Sequence, residues 1–477
     1  MERAEAKLYE QVAGGIARQI REGVLRAGER IPSVRRTSRQ QRVSVSTVLQ
    51  AYFLLENQGL IEARPQSGFY VKPRPAAPPP EPTISAPPAS AVRLSSGDLI
   101  AEVLASTRDP EVVPLGAAVV SPELMPAKAL ARLTAALARE SCAKALSYEF
   151  PPGLPALRRQ IAKRGLELGW AFKPDEVLVT NGCMEALNLC LRAVAKAGDT
   201  VAVESPCYYG ILELMESLGL RALELPTHPR EGLSLPALTA ALRRHKVKAL
   251  ITIPSFLNPL GSCMPEENRR ALARLAAKRR LPLIEDDIYG DLYFEANRPK
   301  PIAAFDREGW VLFCSSFSKT LASGFRVGWT LPGRFRAEVE KLKRNTTLAN
   351  ATLPQMAVAE YLQNGGYERH LRQLRRALQD NVRRVSEAVA RHFPKGTRVS
   401  RPEGGYVLWV EFPKGTDALA LYRRALAEQI SIAPGPIFSA KQKYRNCVRL
   451  NCGHPWSDRM DAALRRLGEW LTEDSLK

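Results

Sequence analysis

The chain has 477 residues, with 69 lysines and arginines against 49 aspartates and glutamates, a formal net charge of +20. That excess excludes an acidic solvating protein and calls for a polyanionic partner. Hydrophobic residues at 45% and charged residues at 25% suffice for a buried globular core. No apolar run reaches the roughly 18 residues of a membrane span, and Met1-Glu2-Arg3-Ala4-Glu5 alternates charge where a signal peptide carries an apolar block. The eight cysteines show no CxxC pair and no zinc-ligand spacing, so the chain reads as a cytoplasmic protein with reduced thiols and no metal site.

Leu8, Val12, Ile16 and Ile20 recur at intervals of four and predict a helix over 8–22. Gly28 turns the chain into Ile31-Pro32-Ser33-Val34-Arg35, where Ser33 is placed to cap a second, short helix. A third helix follows Val43-Ser44-Val45-Ser46-Thr47-Val48, with Ser44 as N-cap, Val48, Tyr52 and Leu55 facing inward, and Gly59 at its C′ position. Two β-like strips, 60–64 and 68–71, are joined through Pro65-Gln66-Ser67 and complete the layout of a winged helix-turn-helix. On that layout the N-terminal end of the third helix enters the major groove with Ser44, Val45, Ser46 and Thr47. Arg35 and Arg36 would clamp backbone phosphates, and the wing from Gln66 to Gly68 would reach the adjacent minor groove. The same hydroxyls also suit a domain in which they only cap and turn helices; spacing leaves both readings open.

Lys72-Pro73-Arg74-Pro75 opens a proline-rich stretch that continues through Pro78-Pro79-Pro80 to Pro87-Pro88-Ala89. Prolines cannot close a hydrogen-bonded ladder and favour extended polyproline, so residues 73–95 are expected to link a domain over 1–72 to a body over 96–477. About twenty such residues would reach roughly 60 Å. Residues 1–74 carry +6 of the net charge, a higher density than the rest.

Beyond residue 110 short buried-strand runs, 177–180, 200–203, 249–253, 282–284 and 311–314, alternate with helical stretches such as 184–197, 236–245 and 265–279. Alternation of this kind implies a mostly parallel α/β sheet with ligand groups at strand C-termini. Neither GxGxxG nor a P-loop occurs. The strand ends carry Asn181-Gly182-Cys183-Met184-Glu185, Asn258-Pro259-Leu260-Gly261, Glu285-Asp286-Asp287-Ile288-Tyr289 and Ser315-Ser316-Phe317-Ser318-Lys319. Arg326 follows seven residues after Lys319. A glycine opening a helix can hold a phosphate on its amides, and a lysine among hydroxyls beside an arginine suits an amine that reacts with a carbonyl next to a phosphate.

The head motifs, Gly28-Glu29-Arg30-Ile31-Pro32-Ser33-Val34-Arg35, then Val43 to Val48, Ala51-Tyr52 and Glu56 to Arg64, resemble the GntR family of bacterial repressors over residues 7–71. Thr37-Ser38-Arg39-Gln40-Gln41-Arg42 is more polar than the family's usual second-helix end, with Arg39 and Arg42 as further phosphate contacts. The strand-end motifs together resemble the fold-type I aminotransferases of class I and II over about 110–470. The implied architecture is an N-terminal winged helix-turn-helix plus a C-terminal α/β pyridoxal-phosphate-dependent transferase fold, with a large subdomain over about 120–340 and a small one over about 345–477. The resemblance implies that Lys319 holds pyridoxal 5′-phosphate and shuttles protons, and that Asp286 pairs with the pyridine nitrogen. It places Asn258 and Tyr289 on the ring oxygen, Gly182, Cys183, Met184, Ser316, Ser318 and Arg326 in the phosphate cup, and Tyr208 stacked on the ring. It also implies that Tyr148 is lent to the other subunit's phosphate and that Arg449, with Asn258, grips a substrate carboxylate. Cys183 stands where a hydroxyl residue is common, and Leu260 where threonine is usual.

Head, linker and body in one chain resemble the MocR subfamily of bacterial transcriptional regulators. That resemblance implies a head-to-tail homodimer that binds operator DNA and senses the cofactor or an amino compound. A catalytically active amino-acid aminotransferase carrying a DNA-binding head is the alternative, since the residues of the chemistry are all present.

Overall fold

The structure is a computed structural model that describes residues 8–26, 28–57, 60–64, 67–72, 78–94 and 99–475. It divides into two units, Met1–Pro78 and Pro79–Lys477.

In the first unit, helix α1 (Leu8–Arg21) packs on α3 (Val45–Asn57). Val12, Ala13 and Ile16 meet a core that holds Val48, Ala51, Tyr52 and Leu55, the last four without measurable exposure. The expected apolar stripe starts one turn late, because Leu8, at the first helical residue, is 62% exposed. Helix α2 (Val34–Gln41) is capped as predicted, with the Arg36 amide donating to Ser33 Oγ at 3.4 Å, and it closes on a left-handed Arg42. The Tyr52 hydroxyl donates to the Pro32 carbonyl at 2.6 Å and lies 2.7 Å from Thr37 Oγ1, tying α3 to the start of α2. Strands β1 (Ile61–Arg64) and β2 (Gly68–Val71) pair antiparallel, Ile61 opposite Val71, and form the wing. Gly59 and Gln66, expected at the helix stop and the wing tip, lie outside the described residues.

The proline-rich stretch differs from a free tether along most of its length. From Pro79 onward it belongs to the second unit, laid over the body's surface. Arg401 donates to the Pro79 carbonyl at 3.0 Å, Val399 N to Pro80 O at 2.9 Å, and Glu81 pairs with Arg230 at 2.8 Å. The Thr83 amide donates to Glu411 at 2.8 Å, and Val92–Arg93 pairs with a sheet edge. An extended proline segment keeps its carbonyls free as acceptors, so arginines and edge amides of a body can bind it where water otherwise would.

The body centres on a nine-stranded sheet. Its strands include β3 (Val92–Arg93), β4 (Leu178–Asn181), β5 (Thr200–Ser205), β6 (Arg221–His228), β7 (Val247–Thr252), β8 (Leu283–Asp286), β9 (Val311–Ser316) and β10 (Val327–Leu331). They lie in the order β3, β6, β5, β7, β8, β9, β10, β4, and the short Gly232–Leu233 strand pairs with β6. The five from β6 to β9 are mutually parallel, with Leu283 opposite both Leu250 and Val311; β10 runs antiparallel between β9 and β4, and β3 and the Gly232–Leu233 strand run antiparallel to β6. Every residue of β8 and β9 is buried, which is why they read as unbroken apolar runs rather than alternations. Helices α4 (Gly182–Val194), α5 (Leu235–Arg244) and α6 (Glu266–Arg279) fall where periodicity places them.

After the long helix α7 (Gly366–His392), a four-stranded antiparallel sheet of β11 (Arg398–Val399), β12 (Val407–Glu411), β13 (Ala433–Pro434) and β14 (Cys447–Asn451) forms the second layer. A separate pairing of Val113–Pro114 with Ile430–Ser431 ties residues ahead of 120 to this layer as well. Among the described residues no helix is long and apolar enough to cross a membrane.

Replacing Tyr52 by Phe deletes the hydroxyl that satisfies Pro32 and Thr37, and the loss of those bonds is expected to cost about 1–3 kcal/mol. Thermal unfolding followed by circular dichroism should show a lower midpoint for the head; an unchanged midpoint would show that the pair of bonds adds nothing.

Candidate functional site

Asn181, Ser205, Asp286 and Ser316 end their strands on one edge of the sheet, and the polar groups of the body's site gather there. At the first, β4 passes directly into α4 through Gly182, whose φ is +72°. A Cβ at Gly182 would lie 2.4 Å from Arg326 Nη2, so only glycine lets that guanidinium close on the helix start. Asn181 gives α4 no side-chain cap, leaving the amides of Gly182, Cys183 and Met184 at the positive end of the helix dipole. Arg326, itself left-handed at φ +53°, donates to Ser318 Oγ and to the Asn181 carbonyl, both at 3.3 Å. Ser316 Oγ accepts from the Ser318 amide at 3.3 Å. Helix amides, two hydroxyls and an arginine make a cup for a dianion.

Lys319 follows β9 and donates from Nζ to the Ala118 carbonyl at 2.9 Å. Burial, then the guanidiniums of Arg449 and Arg326, pull its ammonium down to about 8. Asp286, 2% exposed, is pushed up to about 6, chiefly by burial. The Cys183 thiol donates to Asp286 Oδ1 at 3.2 Å. Its side chain therefore turns away from the anion cup, and only its amide remains there. That differs from the side-chain phosphate contact which a hydroxyl at this position would suggest.

Arg449 is fully buried on β14. It donates from Nη1 to Asn258 Oδ1 at 3.2 Å and from Nη2 to the Gly116 carbonyl, while Nε has no partner. Asn258 in turn donates to the Tyr289 hydroxyl at 3.2 Å. Burial raises the Tyr289 phenol above its ordinary range, and burial followed by Tyr209, Tyr289 and Asp286 does the same to Tyr208. A Cβ at Gly210 would lie 2.7 Å from the Tyr208 ring, so glycine there leaves room for that ring. Lys319, Asp286, Tyr289, Asn258, Tyr208, Arg326, Ser316, Ser318 and Arg449 are thus gathered in one place. Tyr148 is not: it is 73% exposed and stacks on Phe150 at 5.5 Å.

The model for aminotransferases of class I and II matches residues 112–467, and that for bacterial regulatory proteins of the gntR family matches 8–71. The uncharacterized HTH-type transcriptional regulator YjiR of Escherichia coli K12 is 38% identical over 461 residues, 97% of this chain and 98% of its own. Another from the same organism, YdcR, is 39% identical over 98% of this chain and 99% of its own. This chain is a GntR-headed member of the aminotransferase class I and II family. Among solved structures, LysN, the α-aminoadipate aminotransferase of Thermus thermophilus, is 33% identical with a TM-score of 0.72 over 80% of this chain and 96% of its own. That structure holds N-(5′-phosphopyridoxyl)-L-leucine. The kynurenine aminotransferase of Pyrococcus horikoshii is 29% identical, TM-score 0.74, over 80% and 95%.

The cofactor of this aminotransferase-family body is pyridoxal 5′-phosphate, and the residues present fit it. The anion cup suits its phosphate, the buried Asp286 carboxylate suits a protonated ring nitrogen, and the unpaired Nε of Arg449 leaves a guanidinium open to a carboxylate. Three groups at this pocket had no signature in the sequence. The carbonyls of Gly116 and Ala118 are backbone acceptors, and Tyr406, which donates to Ala118 O at 3.2 Å and packs edge-on to Tyr289, sits on β12's approach without a motif.

The GntR head presents its face at the start of α3. Arg35, Arg36, Ser44, Val45 and Ser46 are exposed, Thr47 half-buried. Ser44 Oγ accepts from the Thr47 amide at 3.1 Å and lies 2.8 Å from the hydroxyls of both Ser46 and Thr47. Capping and presentation are therefore combined: Ser44 terminates the helix while Val45, 47% exposed, and the hydroxyls stay open to solvent.

Glu204, near the end of β5 and 2% exposed, accepts the Ile253 amide at 2.8 Å, and burial pushes its carboxyl up to about 8. The folded chain keeps a proton that the unfolded one releases near the ordinary value of 4.5. Its contribution to stability is therefore full below that value and is lost as pH rises towards 8, at up to about 1.4 kcal/mol per pH unit. Glu204→Gln is expected to flatten the fall of the body's melting temperature between pH 5 and 8; an identical pH profile would rule out a buried neutral carboxyl.

Proposed function

We propose that the chain is a pyridoxal-phosphate-dependent transcriptional regulator of the cytoplasm, whose head binds operator DNA and whose body senses the cofactor or an amino compound that reacts with it. The observation that carries this reading is the union, in one chain, of a GntR head and a cofactor pocket; relatives that match over nearly the whole length are named HTH-type transcriptional regulators. When bound, pyridoxal phosphate supplies a carbonyl that links to amines and a ring that withdraws electrons.

The chain's own residues take the following parts. The amides of Gly182, Cys183 and Met184, with Ser316, Ser318 and Arg326, hold the phosphate, and Asp286 holds the ring nitrogen in its protonated state. The Cys183 thiol shares that carboxylate and limits its basicity. Asn258 and Tyr289 fix the ring oxygen, Tyr208 covers the ring, and Lys319 binds the cofactor and carries protons from Nζ. Its lowered ammonium lets it lose a proton near neutral pH. Arg449 orients a carboxylate-bearing amine bidentately. Exposed Tyr148 is free to enter the pocket of a partner subunit, in a homodimer arranged head to tail. Binding of an amine that prefers one dimer arrangement would bias the spacing of the two heads, which is the coupling a regulator requires.

On DNA, Ser44, Val45, Ser46 and Thr47 face base edges and phosphates, Arg35 and Arg36 clamp the backbone, and the wing at Gln66 and Gly68 follows the minor groove. A second reading, an amino-acid aminotransferase with an attached head, is favoured by the completeness of the pocket, in which Lys319, Asp286, Tyr289, Asn258 and Arg449 are all in place.

Lys319→Ala is expected to abolish the visible absorbance of the bound cofactor, and persistence of that band would refute the lysine's role. Arg35→Ala should weaken DNA binding and reduce the slope of log K against log salt by about 0.9 for each phosphate that the variant leaves unneutralised. Footprinting on DNA beside the protein's own gene, with and without cofactor and amino acids, decides between the readings: sequence-specific protection supports the regulator, and its absence supports the enzyme.

A further inference from the structure

The sheet edge opposite the cofactor pocket carries a second concentration of positive charge. Strands β7, β8 and β9 are parallel neighbours, so the segments that lead into them lie side by side. Those segments hold Arg243-Arg244-His245-Lys246 and Lys248 before and at the start of β7, and Lys278-Arg279-Arg280 before β8. His245, Lys246, Lys248, Arg279 and Arg280 line one surface recess of about 560 Å³, together with Trp310 and apolar residues, and no carboxylate lines it. Arg334 lies over the Trp310 ring at 4.1 Å. In the turn before β9, Asp306 accepts from the amides of Glu308, Gly309 and Val311, so its carboxylate is engaged; Glu308 is the other acid there. The arginines and lysines of 243–248 and all of 278–280 are exposed, and among the described residues none of their side chains has an ion pair or hydrogen bond.

Part of this charge has a structural cause. Helices α5 and α6 both end here, and cations in a last turn offset the negative end of the helix dipole, about half a charge per helix. Seven arginines and lysines far exceed that need, and Lys246 and Lys248 stand beyond the helix end. The cofactor pocket is roughly a strand length, 15–20 Å, away, so this charge does not serve the cofactor phosphate.

Resting on the DNA-binding role of the head, we infer that this basic edge of the body is a second, sequence-independent contact for the phosphate backbone of duplex DNA. A small polyphosphate would call for fixed, partly buried donors held in one geometry. Here every arginine and lysine of the two segments is solvated and unrestrained by protein partners, the arrangement that neutralises a phosphate backbone without reading it.

The experiment uses full-length holoprotein and a random-sequence duplex of about 60 base pairs, with binding measured from 50 to 200 mM salt. The charge-reversed variant Lys246→Glu/Lys248→Glu/Arg279→Glu/Arg280→Glu should lower the salt slope by about 3–4, at about 0.9 per phosphate neutralised. It should also weaken binding at least ten-fold at the lowest salt, while the cofactor's visible absorbance stays unchanged. Should that variant fail to retain cofactor, the same four positions changed to Gln are expected to lower the slope in the same direction. A slope equal to that of the unaltered protein overturns the inference. So does a variant that keeps its slope but loses thermal stabilisation by sodium tripolyphosphate, which would mark a small-anion site. Arg35→Glu/Arg36→Glu, measured in parallel, reports on the head alone, so failure of the head's role is seen separately.

Discussion

An imbalance of charge in a place with little water governs the body. Buried Arg449 and half-buried Lys319 converge on a pocket whose central carboxylate is Asp286, with exposed Arg326 at its rim, and none of the three is ion-paired among the described residues. Isolated charges in a poorly solvated interior are costly, and removing one partner of a buried pair is more so. The chain tolerates this arrangement with carbonyls from Gly116, Ala118 and Asn181 and a hydroxyl from Ser318, acceptors that orient the cations without neutralising them. A ligand bearing a phosphate and a carboxylate supplies what the protein withholds. The topology makes such a pocket available: five parallel strands end together, so every loop that follows them can contribute a polar group to one edge without exposing the sheet.

Cys183 shows how a single departure redistributes these forces. A hydroxyl at the start of α4 would turn to the anion cup, whereas the thiol, a weaker donor and a better apolar neighbour, is 4% exposed and bonds Asp286 instead. Burial, then Asp286, hold the thiol well above its ordinary range, so it acts as a proton donor in a hydrogen bond rather than as a nucleophile. The anion cup keeps its amides, which need no side chain at all.

Much of this was legible in the sequence because the residues concerned have few other reasons to be where they are. Strands β8 and β9 stood out through continuous apolar runs, α3 through Val48, Tyr52 and Leu55 at helical spacing, and Lys319 and Asp286 through motifs fixed to strand ends. Other features carry no such signal. The Gly116 and Ala118 carbonyls belong to backbone that any residue possesses. The direction of the Cys183 side chain depends on what lies across the pocket. The strap from Pro79 to Arg93 has the composition of a free linker, because polyproline looks the same in solution and on a surface. The role proposed for Tyr148 needs a second subunit, so a single chain, in which that residue is exposed, does not display it.

That strap sets a leash. With the wing ending at Val71 and the anchored segment starting at Pro79, the seven bonds from Lys72 to Pro79 allow at most about 25 Å of travel, where a free proline stretch of twenty residues would allow more than twice as much. Two binding surfaces joined by so short a tether meet a shared ligand at an effective concentration in the millimolar range. The body end of that leash is fixed by the Arg401 and Val399 hydrogen bonds to the Pro79 and Pro80 carbonyls. Lengthening the chain between 72 and 79 would therefore widen that reach while leaving both folded units intact.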